Sequence, residues 1–226
     1  MDVRILNPKT RIILALDCFD RSHSFRVMDE CVEFVDLIKV NYPLILKEGL
    51  NFISELKLKY NKPIIADFKV ADVPFTNKRI AQLASDAGAD ILMVHVFIGT
   101  EAIFELNQIS KDLEIIIVTE LTHPGGLEFS SQHAEDAAKI CKEMDCLGIQ
   151  APGTRPEKIS LLRNIVGKDK LIIACGIGEQ GGIFHEVISA GSDYGIIGRA
   201  IYNSQDPRST ISALSTSLPD KLSSYE

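Results

Sequence analysis

No apolar run in this 226-residue chain approaches the ~20 residues that a membrane-spanning helix needs; stretches such as Ile115 to Val118 fall far short. Cysteine is sparse: Cys18, Cys31, Cys141, Cys146 and Cys175 make an odd number with no C-x-x-C pair. That pattern suits reduced, buried thiols and argues against a disulfide framework or a zinc site. Positive charge is also in short supply, with 24 Lys and Arg against 31 Asp and Glu and a net charge of -7. This argues against a broad surface for nucleic acid or anionic membrane, and an anionic ligand would have to meet local positive charge. No Pro/Gly/Ser-rich linker, charge run or composition break divides the chain, so residues 1–226 read as a single domain. Met1 to Leu6 carries an acid and moves directly into a strand pattern, without the signature of a secretory or transit peptide. The expectation is a cytoplasmic protein.

What the chain does contain is a 46% hydrophobic fraction arranged as short β-branched runs alternating with helical stretches. Strands are expected at 12–16, 37–41, 63–68, 91–96, 114–120, 147–151, 171–174 and 194–198. Helices are expected at 22–35, 43–60, 74–87, 100–110, 132–144, 156–166 and 183–190, with one more after Arg199. Uniform alternation implies a parallel sheet with right-handed crossovers, and eight rounds in this length is the count that closes a (β/α)8 TIM barrel. An open doubly wound sheet is the alternative.

A barrel gathers its active site at the carboxyl ends of the strands, and the polar residues of this chain fall there. Asp17 ends the first predicted strand, Lys39 and Asn41 the second, Asp67 and Lys69 the third, and His95 the fourth. Glu120 to His123 follow the fifth and Gln150 lies on the sixth. The densest cluster is Asp67-Phe-Lys-Val-Ala-Asp72, where strand alternation places Asp67 and Lys69 on one face. Asp72 precedes Val-Pro-Phe-Thr and a long amphipathic stretch, so taken alone it reads as a helix N-cap. His95 taken alone reads as a core histidine.

Strands seven and eight carry a different signal. Cys175-Gly-Ile-Gly-Glu-Gln-Gly-Gly182 follows the first of them and Ile197-Gly-Arg199 ends the second. Glycines let backbone N–H groups approach a phosphate, an arginine offers it a bidentate contact, and barrels commonly bind phosphate at these two loops. Neither loop fits a dinucleotide fingerprint, which would open the chain and be followed by an acidic ribose partner.

Taken together, Leu14-Ala-Leu-Asp17, Ile38-Lys-Val-Asn-Tyr-Pro43, Ile65-Ala-Asp-Phe-Lys-Val-Ala-Asp-Val-Pro74 with Thr76, Thr122-His-Pro-Gly125, Gly176 to Gly182 and Ile197-Gly-Arg-Ala-Ile-Tyr202 resemble orotidine 5'-monophosphate decarboxylase in its compact, archaeal-type form. The resemblance runs from about Arg11 to Asn203. It implies conversion of orotidine monophosphate (OMP) to uridine monophosphate (UMP), in pyrimidine nucleotide synthesis, without metal or organic cofactor. By resemblance the catalytic residues are Lys39, Asp67, Lys69 and Asp72, with Asp72 entering from the other subunit of a homodimer. Asp17 and Lys39 fall to the ribose, joined by Asp72 and Thr76 of the partner. Thr122 falls to the pyrimidine edge, and Gln180, Gly198 and Arg199 to the phosphate. Two positions depart from the family pattern: Thr122 stands where a serine is expected and Cys175 where a proline is expected, which points to a freer phosphate loop.

Two other readings compete. Sugar-phosphate lyases such as hexulose-phosphate synthase or ketogulonate-phosphate decarboxylase share the D-x-K-x-x-D strand but resemble each other in an acid that helps hold magnesium at the end of strand two; Lys39 stands there instead. A non-catalytic barrel that binds nucleotide phosphates would have no use for paired acids and lysines beside its ligand.

Overall fold

The computed structural model describes residues 8–18, 20–109 and 111–218. The strand pattern read at Met1 to Leu6, and Ser110 at the end of one expected helix, lie outside the described residues. Among the described residues, eight parallel strands pair in chain order and the first pairs with the last, closing the expected (β/α)8 barrel. They are β1 (Ile12–Ala15), β2 (Leu37–Asn41), β3 (Ile64–Val70), β4 (Ile91–His95), β5 (Glu114–Val118), β6 (Gly148–Pro152), β7 (Leu171–Cys175) and β8 (Tyr194–Ile197). Around them run α1 (Arg21–Cys31), α2 (Tyr42–Glu48), α3 (Asn51–Tyr60), α4 (Pro74–Asp86), α5 (Thr100–Leu106), α6 (Ala134–Glu143), α7 (Pro156–Val166), α8 (Phe184–Ser189), α9 (Arg199–Tyr202) and α10 (Pro207–Thr216). None of the described helices is long and apolar enough to cross a membrane.

Each strand is buried on both sides, and its two-residue period sorts its side chains into two apolar clusters. Ile13, Leu37, Ile65, Met93, Ile116, Ile173 and Tyr194 belong to the smaller cluster, which fills the barrel. Leu14, Ile38, Ala66, Leu92, Ile117 and Ile172 belong to the larger one, between barrel and helices. Because the inward set is apolar in its first members, Lys39, Asp67 and Gln150, two residues further along it, are confined to one mouth.

Three expectations about helices need correction, the first being that the one helix expected after Arg199 is two, α9 and α10. The single helix expected over 43–60 is two, because Gly49 adopts φ +83° and its N–H returns to the Ile45 carbonyl at 2.8 Å, ending α2. Asp72 is not the N-cap of α4: Val73 holds that position, followed by Pro74, and the Asp72 carboxylate accepts a bond from Val73 N at 2.7 Å.

Candidate active site

At the mouth of the barrel Lys39 is 4% exposed and Asp67 5%, so both charges have left water almost completely. Such burial is tolerated because each charge has partners. Lys39 Nζ lies 2.9 Å from Asp67 Oδ2 and 3.1 Å from Asp17 Oδ1, while Lys69 Nζ lies 2.6 Å from Asp67 Oδ1. The result is a chain of alternating sign, Asp17, Lys39, Asp67, Lys69, with its two middle members buried and its two ends about a third exposed. Burial alone would raise the Asp67 carboxyl, but Lys39 and Lys69 outweigh it and hold the group at about 2. Burial likewise opposes the charged form of Lys39, and Asp67 and Asp17 outweigh it, raising that ammonium above the usual lysine value. Both charges are therefore fixed across the physiological range.

Lys69 reaches this array by a route that simple alternation does not describe. Ala66 pairs with Leu92 and Val70 with Val94, so β3 holds two more residues than β4 over the same interval. Lys69 takes up the irregularity at φ +43°, a conformation uncommon for a residue with a Cβ. Sequence alternation named the correct face; the bulge sets where the amine ends up. Strained backbone held by a surrounding fold is a recurrent feature of catalytic positions.

Asp17, Lys39, Asp67, Lys69, Thr122, Gln180, Gly198 and Arg199 all line one cleft, which Gln150, Cys175 and Glu179 also border. Asp72 and Thr76 are not among its lining residues in this protomer; Asp72 is exposed, and Thr76 lies in the first turn of α4. The Asp72 backbone is braced by Asn77, whose amide accepts from Asp72 N at 3.0 Å and donates to Asp72 O at 2.5 Å. Nothing in the local pattern singled out Asn77, although it is fully buried.

The phosphate-shaped loop closes on itself. Gly181 N donates to the Gly178 carbonyl at 2.8 Å and Gly182 N to Gly176 at 3.0 Å, with Gly176, Gly178 and Gly181 at φ +87°, +83° and +96°. A Cβ on Gly182 would sit 2.7 Å from the carbonyl oxygens of both Gly153 and Gly176, so glycine is required there for close approach. Cys175 pairs with Pro152 at the end of β7, its carbonyl accepting Gly153 N at 2.6 Å, and burial pushes its thiol up to about 12. Arg199 faces the loop across the cleft, with Nη1 3.4 Å from Glu179 Oε2.

Under Thr122 lies a second buried ion pair that the strand-end reading only half anticipated. Glu120 is fully buried, with Oε1 2.6 Å from Arg155 Nη2, and the same nitrogen donates to the Leu121 carbonyl at 2.9 Å. The pair props the β5 loop on which Thr122 sits. His95 stacks on Phe97 with ring centroids 4.8 Å apart; burial and then Lys69 lower its pKa, so it stays neutral beside the array.

Known proteins resemble this chain in sequence and fold. The model of the Orotidine 5'-phosphate decarboxylase / HUMPS family matches residues 10–214. Orotidine 5'-phosphate decarboxylase of Pyrococcus furiosus is 44% identical over 197 residues, covering 87% of this chain and 92% of that protein. Its namesake from Methanococcoides burtonii is 43% identical over 204 residues, covering 89% and 94%. The crystal structure of orotidine 5'-monophosphate decarboxylase from Methanocaldococcus jannaschii, complexed with inhibitor BMP, superimposes with a TM-score of 0.87 at 36% identity, covering 93% of this chain and 98% of that one. With the barrel, the charge array and likeness over nearly the whole length in agreement, the chain belongs to the orotidine 5'-phosphate decarboxylase / HUMPS family.

Proposed function

We propose that this chain removes carbon dioxide from OMP to give UMP, using side chains alone. The observation that carries this reading is the Lys39–Asp67–Lys69 array, with a lysine and not an acid on β2. A magnesium-dependent lyase needs carboxylates free to ligate the ion. Here Asp17 and Asp67 are already bridged by the Lys39 ammonium, which supplies positive charge directly and repels a divalent cation.

The chemical difficulty is a carbon–carbon bond whose electrons have no adjacent carbonyl to delocalise into. Asp67, held ionised, faces the departing carboxylate and raises the energy of the ground state. Lys69, partly exposed to the cleft, stabilises the carbanion that remains and then delivers a proton to it. Like charges at about 4 Å repel by about 4 kcal/mol at an effective dielectric of 20, worth roughly a thousandfold in rate. Enzymes commonly exceed a millionfold, so stabilisation of the carbanion by Lys69 must contribute most.

Asp17 and Lys39 hold the ribose, Thr122 the pyrimidine edge, and Gln180, Gly198 and Arg199 the phosphate. Phosphate lies far from the reacting carbon, so its binding acts by closing the glycine loop and positioning the base. Asp72 and Thr76 serve the site of a second copy of the chain in a homodimer. This is supported by the exposure of Asp72 beside Val73 and Phe75, which are 62% and 71% exposed, and by Phe97, 71% exposed after β4. A reducing, cytoplasmic setting suits the five free cysteines.

The test is loss of OMP absorbance, with UMP identified as product, in excess metal chelator. Full activity is expected for the native chain, a fall to near zero for Lys69→Ala, and a far smaller fall for Asp67→Ser. Activity that requires added magnesium, or equal residual rates for the two variants, would contradict the reading.

A further inference from the structure

Glu179 borders the cleft without a part in the chemistry, and its carboxylate stands 3.4 Å from the guanidinium of Arg199. We propose that Glu179 is a built-in counter-anion: it occupies the guanidinium that a substrate phosphate needs, and the phosphate must displace it. The inference rests on the decarboxylase reading, in which Arg199 is the cationic partner of the phosphate.

Local geometry makes the displacement easy. Gly181 N bonds to the Gly178 carbonyl, so Glu179 and Gln180 are the two central residues of a tight turn, with left-handed glycines on either side. Gln180 points back at the loop, its Oε1 3.1 Å from where a Cβ on Gly176 would lie, while Glu179 points to Arg199. Both members of the ion pair are 47% exposed, so Glu179 can swing into water through its own side-chain torsions while the turn keeps its hydrogen bonds.

Two anions cannot share one guanidinium without repulsion, so the carboxylate leaves as the phosphate arrives. The consequence is a uniform handicap: Glu179 lowers the affinity of this subsite by the same factor for every phosphate. A free phosphate or sulfate ion has only this subsite with which to offset that loss, whereas a nucleotide also has its ribose beside Asp17 and Lys39 and its base beside Thr122. Exposed ion pairs are weak, and the resulting change in binding is about two- to fivefold.

The experiment measures UMP binding by calorimetry, inhibition by inorganic phosphate, and KM and kcat for OMP. The proteins are the native chain, Glu179→Gln, Arg199→Ala, the double variant, and Glu186→Gln, which removes one negative charge from α8. Glu179→Gln is expected to tighten UMP and phosphate binding and to lower KM, each about two- to fivefold, with kcat unchanged. In the Arg199→Ala background the same substitution is expected to do nothing, and Glu186→Gln to leave binding as it was. Weaker binding by Glu179→Gln would mean that the carboxylate orients Arg199 for phosphate, overturning the proposal. An equal gain in the Arg199→Ala background, or from Glu186→Gln, would reduce it to net charge and overturn it as well. Should the native chain fail to decarboxylate OMP, the functional reading falls on its own, and the UMP and phosphate measurements still decide the role of Glu179.

Discussion

Asp67 is a carboxylate that faces two ammonium groups, at 2.9 and 2.6 Å, in a nearly dry setting. Its folded value of about 2 lies below the ordinary 3.8, so it contributes stability that is present above pH 3.8 and lost as pH falls toward 2. Denaturant unfolding of the native chain and of Asp67→Asn should therefore differ most at neutral pH and converge across that acid interval. A difference that stays constant down to pH 2 would mean that Asp67 is not held ionised by its neighbours. At this scale the sequence was largely readable, because Lys39 and Asp67 share a mouth by strand period alone and Lys69 stands two residues after Asp67. Glu179 stands out in the sequence only as part of a glycine-rich loop, since no pattern of residue types announces which way a turn residue points.

The elements that position these residues are less regular than periodicity suggests. Strand β3 delivers Lys69 through an irregular register and a left-handed backbone, and neither follows from counting alternate positions. The break between α2 and α3 was legible in principle, because a glycine inside an amphipathic run is a stop signal; continuous hydrophobic spacing through Leu50 and Phe52 concealed it. The turn before α4 is fixed by Asn77, a helical residue that bonds back to the Asp72 backbone twice, and contacts of this kind leave no trace in local pattern. Replacing Asn77 with alanine removes both bonds and is expected to cost about 1–3 kcal/mol of unfolding free energy. It should also lower turnover, because Asp72 would no longer be presented at a fixed position. Unfolding and turnover that both match the native chain would show that Asn77 does not hold the turn.

For the whole molecule, strand–helix alternation revealed eight rounds and hence the barrel, because a parallel strand buried on both sides needs a continuous β-branched run that is easily seen. Assembly was not legible in the same way. The exposed apolar side chains Val73, Phe75 and Phe97 are scattered in sequence and adjacent only to the strand ends they follow. If two copies share their sites, Lys69→Ala and Asp72→Ala chains, each inactive alone, should complement on mixing. Half of randomly paired dimers would be mixed with one intact site each, giving about a quarter of native activity. No recovery after exchange of subunits would show that Asp72 acts within its own protomer.

In the proposed mechanism Lys69, held within the charge array, makes a ring carbanion survivable. Run backwards from product, the same stabilisation should let the amine remove the proton at C6 of UMP. The direct measurement is deuterium uptake at that carbon in heavy water at mildly alkaline pH. Uptake is expected with the native chain, none with Lys69→Ala, and with Asp67→Ser uptake that is impaired less than decarboxylation, because the product has no carboxylate to repel. Exchange by Lys69→Ala at the native rate, or none by the native chain, would contradict this mechanism.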